Sequence, residues 1–210
     1  MMLELAIGDA YGAGFEFASS EFVKRNNNLS EYFKHPYHKL IPGSYTDDTQ
    51  MSIAIAELII ENEKFTKENI ADKFVEVFKR DSRRGYSSRM FNLLQKVDNG
   101  KELLEIIKPI SDKSGSAMRV GVIGFLPDID EIKEYATLQA RVTHNTRAGV
   151  NNAIASALMP HYFIYGLGSR KQLGEFVSSH VSGNWEKPWE EKVGSKGYMS
   201  VKAAITAIQE

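Results

Sequence analysis

Residues 49–60 leave almost no polar face: Met51, Ile53, Ala54, Ile55, Ala56, Leu58, Ile59 and Ile60 cover the helix surface, broken chiefly by Glu57. A helix that is apolar all round needs other helices around it, so this stretch demands a multi-helix core. Residues 146–159 repeat the demand with Ala148, Val150, Ala153, Ile154, Ala155, Ala157 and Leu158, where the alanines allow close helix approach. Two further segments carry a single apolar stripe: Ile70, Phe74, Val77 and Phe78 within 67–80, and Ile129, Ile132, Ala136 and Ala140 within 129–140. Spacing of three and four residues marks amphipathic helices. The best strand signal, Val120–Leu126, is weakened by Gly121 and Gly124 and reads equally as a buried helix. The expectation is an all-α chain, a compact orthogonal bundle of many helices. Loops are expected at 35–44, 108–115 and 182–198.

Composition narrows the function. Lys plus Arg total 26 against 27 Asp plus Glu, so the net charge is -1 and nothing favours nucleic acid or an anionic membrane as partner. There is no cysteine, which excludes disulfides, zinc–thiolate sites and thiol catalysis. No apolar run reaches the roughly 20 residues of a membrane span, and the N-terminus has no basic leader. A cytoplasmic protein without membrane partners is expected. The helix beginning near Val201 stops in mid-pattern at Glu210, and the expectation is one domain over 1–210 that continues beyond it.

Four segments can carry chemistry. Thr46 is placed to cap the helix at 49–60, with Asp47 and Asp48 in its first turn. An acidic first turn on an ordinary helix is the plain reading. Against it, adjacent carboxylates at the buried start of an apolar helix repel one another unless a cation intervenes. With the threonine hydroxyl they form a hard-oxygen set suited to Mg²⁺, Mn²⁺ or Ca²⁺. Residues 5–17 read as a buried helix broken at Gly12 and Gly14, with Asp9 needing a partner and Glu16 free to enter a cleft or lie on the surface. Ser114, Gly115 and Ser116 form a small-residue turn whose amides suit phosphate or sugar oxygens, or simply start a helix. Thr143 and His144 precede the alanine-rich helix, His144 being a base, a donor or a cap. His35 and His38 read as surface residues.

The order LAIGDAYGAGFEF, YTDDTQM, GSAMR and ARVTHN, spread over about 5–160, resembles the ADP-ribosylglycohydrolase family, which includes the dinitrogenase reductase-activating glycohydrolases and the ADP-ribosylhydrolases. The resemblance implies an all-α bundle around a cleft with two Mg²⁺ ions. It implies hydrolysis of the glycosidic bond between ADP-ribose and a modified side chain or related acceptor. The partner is then an ADP-ribosylated protein or an ADP-ribose-containing small molecule. By the same resemblance Thr46, Asp47 and Asp48 are metal ligands. Glu16, Asp47 and Asp48 are the catalytic group. Ser114, Gly115, Ser116, Thr143 and His144 contact the substrate, and Asp9 is a supporting residue. The family completes its metal site with a C-terminal GDxDT-type motif that this sequence does not contain. The alternative is a non-catalytic relative, as in the family's lens crystallins, that binds ADP-ribose or serves as a scaffold.

Overall fold

A computed structural model describes residues 2–210. It is helical, and no strand forms among the described residues. In chain order the helices are α1 (Met2–Gly12), α2 (Ser20–Asn26), α3 (Asp47–Ile60), α4 (Lys67–Arg80), α5 (Ser88–Lys96), α6 (Gly100–Ile106), α7 (Ile129–Thr143), α8 (Arg147–Ile164), α9 (Leu173–His180) and α10 (Gly197–Gln209). Short 3₁₀ turns occupy Ser114–Ser116 and Gly121–Phe125.

Three of the long helices start at a local side-chain cap. Thr66 caps α4 by accepting from the Asn69 amide, Asp128 caps α7 through the Asp130 and Glu131 amides, and Thr146 caps α8 through Gly149. The stripe of α4 is wholly interior, with Ile70, Phe74, Val77 and Phe78 all buried. It packs on α3 at one side and α6 at the other. Helix α8 lies against α7, α9, α10 and the Gly121–Phe125 turn, and its Ala153, Ala155, Ala157 and Leu158 have no exposed surface. The run at 120–126 is thus neither strand nor regular helix. Val120, Val122 and Ile123 are buried in a 3₁₀ turn whose packing on α8 and α3 supplies what a sheet partner would have.

Two expectations about burial need correction. Helix α1 is not enclosed: Ala10 is its buried residue, Leu3 is 69% exposed, and its principal contact is with α3. Its apolar composition states that it tolerates burial, not that a partner is there. Helix α3 is central over its first three turns, but Ile60 at its end is 80% exposed. No helix among the described residues is long and apolar enough to cross a membrane.

Candidate functional site

The start of α3 is built by a residue from another helix. Thr46 sits at the cap position with extended backbone, yet its hydroxyl makes no cap bond to its own helix. It donates instead to Asp9 of α1 at 2.6 Å. The same carboxylate accepts the Thr46 amide at 2.8 Å, the Thr49 amide at 3.1 Å and the Thr49 hydroxyl at 2.6 Å. Asp9 therefore caps α3 in trans. That is the partner its place in an apolar segment called for; the Asp47 carboxylate is left to meet only its own amide and Thr46, and that of Asp48 takes no part in the cap.

Those two carboxylates keep some access to solvent while protein crowds them on most sides. Burial lifts Asp47 to about 7, with Asp9 and Glu16 pushing the same way and its own amide and Thr46 opposing. Burial also lifts Asp48 well above the usual carboxylate range, with Asp47, Asp9 and Glu16 adding repulsion. Among the described residues no lysine, arginine or histidine forms an ion pair with either. The backbone at Gly85 closes over Asp47 and Thr46: with φ +110°, a Cβ there would stand 2.1 Å from Asp47 Oδ1 and 2.7 Å from Thr46 Cβ. The loop is held by Gln50, which accepts from the Tyr86 hydroxyl at 2.9 Å and donates to the Asp81 carbonyl.

Glu16 lies at the rim. It follows the last turn of α1 and its side chain is exposed, so its carboxyl is raised by partial burial only against the opposing pull of His38 and His35. His35 is not a surface residue. It is 3% exposed, its Nδ1 accepts the Tyr37 and His38 amides at 3.0 and 2.8 Å, and its Nε2 is left to donate to the Glu16 carbonyl. Proline-containing sequence around it concealed this, because burial here comes from a loop folding back on α1 and leaves no periodic signal. His38 is exposed as expected.

The second group assembles where α7 ends. Ser116 is fully buried and donates to the Gly149 carbonyl at 2.8 Å, so its hydroxyl is structural. Ser114 and Gly115 remain partly accessible. A Cβ on Gly115 would approach His144 Cε1 to 2.9 Å, so glycine lets the imidazole lie on this turn. Thr143 and His144 are both 7% exposed and bond to each other, Oγ1 to Nδ1, at 2.6 Å. His144 is also tied down by an antiparallel bridge to Ile110. Burial, and Arg119 nearby, depress its imidazole to about 3, so it stays neutral.

Arg119, the residue that sequence reasoning passed over, joins the two groups. It is buried and forms no ion pair with a carboxylate, although the charge of Asp47 acts on it. Nε donates to Gln139 Oε1 at 2.6 Å, Nη2 to the Gln139 carbonyl and Thr143 Oγ1, and Nη1 to Met51 Sδ on α3. Its guanidinium stacks on Phe74 at 4.5 Å, and burial lowers it to about 9. An arginine followed by a wholly apolar run was the available signal.

Among the described residues no three carboxylate or imidazole side chains converge as a closed metal cage would. The donor set nevertheless fits a hard divalent ion: two adjacent carboxylates, a threonine oxygen beside them, two further carboxylates repelling them, and no ion-paired cation among the described residues.

The fold and this acidic helix start define an all-α protein with an oxygen-donor site at one end of a central helix. The ADP-ribosylglycohydrolase family profile matches residues 1–209. The chain is similar to the ADP-ribosylhydrolase ARH3 of Xenopus tropicalis, 31% identical over 182 residues that cover 79% of this chain and 49% of that protein. It is 34% identical over 164 residues to an uncharacterized protein of Archaeoglobus fulgidus, covering 75% and 52%. Against the ADP-ribosylarginine hydrolase Tri1 of Pseudomonas putida it is 25% identical, covering 99% and 60%. The chain belongs to the ADP-ribosylglycohydrolase family, and it spans about half the length of the curated relatives it matches.

Proposed function

We propose that residues 1–210 act as one unit of a Mg²⁺-dependent hydrolase that cleaves the glycosidic bond of ADP-ribose attached to a protein or a small molecule. Family membership and the names of its relatives support the reaction class. The observation that carries the metal dependence is the pair Asp47 and Asp48, relieved of capping by Asp9 and left without an ion-pair partner.

Thr46, Asp47 and Asp48 would hold Mg²⁺, or Mn²⁺, which when bound orients ribose hydroxyls and acidifies a water. Cleavage at the anomeric carbon builds positive charge on the sugar ring. The carboxylates of Asp47 and Asp48 stabilise that charge. Glu16, at the open rim, would accept a proton from the attacking water, while the acceptor group departs with the electron pair of the glycosidic bond and takes up a proton from solvent. Gly85 keeps Asp47 pressed against the site. On the other side, Ser114 and Gly115 offer backbone and hydroxyl contacts to the ADP-ribose, and neutral His144 offers a hydrogen bond.

The test is thermal unfolding with and without Mg²⁺ for the wild type and the double variant Asp47→Asn, Asp48→Asn, followed by calorimetric titration with ADP-ribose. Mg²⁺ should stabilise the wild type only. Without metal the double variant should be more stable than the wild type near pH 8, because it lacks two crowded, mutually repelling charges. An ordinary acidic helix start would show the opposite, a loss of about 0.3–1 kcal/mol per residue and no response to Mg²⁺. ADP-ribose binding unaffected by Mg²⁺ would point to a non-catalytic binding relative.

A further inference from the structure

We propose that Arg119 is a positioning residue. Through Thr143 it fixes His144 in the tautomer that carries its proton on Nε2, so that the imidazole meets a ligand as a neutral hydrogen-bond donor. The inference rests on the reading of His144 and the Ser114–Ser116 turn as the ADP-ribose contact. It adds the device that sets the histidine's polarity.

The argument is a count of protons. A guanidinium has donors only, so in the 2.8 Å contact between Arg119 Nη2 and Thr143 Oγ1 the threonine oxygen accepts. The threonine keeps one proton to donate, and its other contact is His144 Nδ1 at 2.6 Å. If Nδ1 carried a proton, Oγ1 would accept twice and its own proton would have no acceptor among the described residues. In a pair that is 7% exposed, that loss is not returned by water. The arrangement that satisfies every donor runs from Arg119 to Thr143 to Nδ1, and places the imidazole proton on Nε2.

Arg119 cannot reverse this chain. It has no carboxylate partner, and its position is fixed by Gln139, by Met51 and by the Phe74 ring beneath it. The polarity of His144 is thus set from the core. Nε2 has no partner among the described residues, and it lies beside Gly115, where an added Cβ would stand 3.3 Å away. The ligand group suited to this N–H is an oxygen acceptor, a phosphoryl or ribose oxygen, seated against the Ser114–Gly115 backbone. A base at this position would need the opposite tautomer or a free Nε2 lone pair, and the relay denies both.

The experiment is multiple-bond ¹H–¹⁵N NMR of ¹⁵N-histidine-labelled protein, with the His144 ring assigned by its loss in His144→Gln. The wild type should show a single Nε2–H form, with Nδ1 displaced by an accepted hydrogen bond. Thr143→Val should move the Nδ1 resonance toward that of an unbonded ring nitrogen, and Thr143→Ser should restore it. Arg119→Met should move it in the same direction as Thr143→Val. Should Arg119→Met fail to fold, Arg119→Lys, which retains a donor, replaces it and should leave the resonance in place. ADP-ribose affinity, titrated in parallel, should fall about fivefold in Thr143→Val and recover in Thr143→Ser, the size expected for one hydrogen bond. A protonated Nδ1 in the wild type, or an Nδ1 resonance unmoved by Thr143→Val, overturns the relay. If the NMR result holds while ADP-ribose binds none of the proteins, the relay stands and the functional reading falls.

Discussion

Replacing Asp9 with alanine removes a carboxylate that accepts four hydrogen bonds at the start of α3, two from backbone amides and two from hydroxyls. Bonds to a charged acceptor are worth roughly 1.5–3 kcal/mol each in net terms, but they are not additive and the site can respond. The Thr46 hydroxyl, freed from Asp9, is able to turn inward and accept the Thr49 amide as an ordinary cap, recovering about 1 kcal/mol. The Thr49 hydroxyl, buried beside the helix start, can turn to a carbonyl of the preceding turn. The repulsion that Asp9 exerts on Asp47 and Asp48 also disappears. What remains is one orphaned amide at Thr46 and the lost tie between α1 and α3. The net expectation is a loss of about 3 kcal/mol, which in a chain of this size lowers the melting temperature by roughly 6–12 °C. Asp9→Asn, which retains one acceptor oxygen, should lose about half as much. Urea unfolding followed by circular dichroism reads both. If Asp9→Ala lies within about 0.5 kcal/mol of the wild type, Thr46 caps its own helix and the trans cap is not what frees the two carboxylates.

Three other outcomes follow from the same geometry. Gly85→Ala should destabilise by about 2–4 kcal/mol in the same assay, because a Cβ at φ +110° meets Asp47 Oδ1 at 2.1 Å; a neutral result would mean that the loop stands off the site. His35→Ala should cost about 1–2 kcal/mol and hasten proteolysis between α1 and α3, since two amides and the Glu16 carbonyl lose their partner. Unchanged proteolysis would show that Glu16 is held by something else. His144, depressed to about 3, takes up its proton in the unfolded chain near pH 6.5 but not in the fold. The unfolded state therefore binds more protons across that window, and stability attributable to His144 is present above pH 6.5 and lost as pH falls toward 3. At pH 5 the wild type should have lost about 2 kcal/mol relative to His144→Gln. Because Asp47 and Asp48 drift the other way, the difference between the two proteins is the quantity to measure, and a pH-independent difference refutes the assignment.

Helices were legible where a single side chain could be placed on a stripe. Ile70, Phe74, Val77 and Phe78 announce α4 and its buried face, and Ile132, Ala136 and Ala140 announce α7. The caps Thr66, Asp128 and Thr146 could have been read too, since each bond is made within three residues, whereas Thr46, the cap the sequence did suggest, makes none. Periodicity fails where burial depends on a distant neighbour. It gives no reason for α1 to stand exposed while α8 is enclosed, although both are rich in small and apolar residues. Nor can it show His35 folded under the Glu16 turn, because that contact spans 19 residues of irregular chain.

The same division explains why the site was half visible. Asp47 and Asp48 are adjacent, so their mutual repulsion could be inferred from sequence. What makes the repulsion chemically useful could not: that the capping task at α3 has been handed to Asp9, 37 residues earlier than Thr46. An aspartate pair that capped its own helix would be satisfied and inert. Moving the cap to another helix leaves two carboxylates crowded, largely desolvated and without an ion-paired cation among the described residues, with only the field of buried Arg119 reaching Asp47, and it makes their position depend on the α1–α3 contact. Arg119 repeats the logic with opposite sign, a buried charge satisfied by neutral groups rather than by a carboxylate. In both places the fold withholds the obvious partner: the two aspartates have no ion-paired cation among the described residues, and the guanidinium no ion-paired carboxylate.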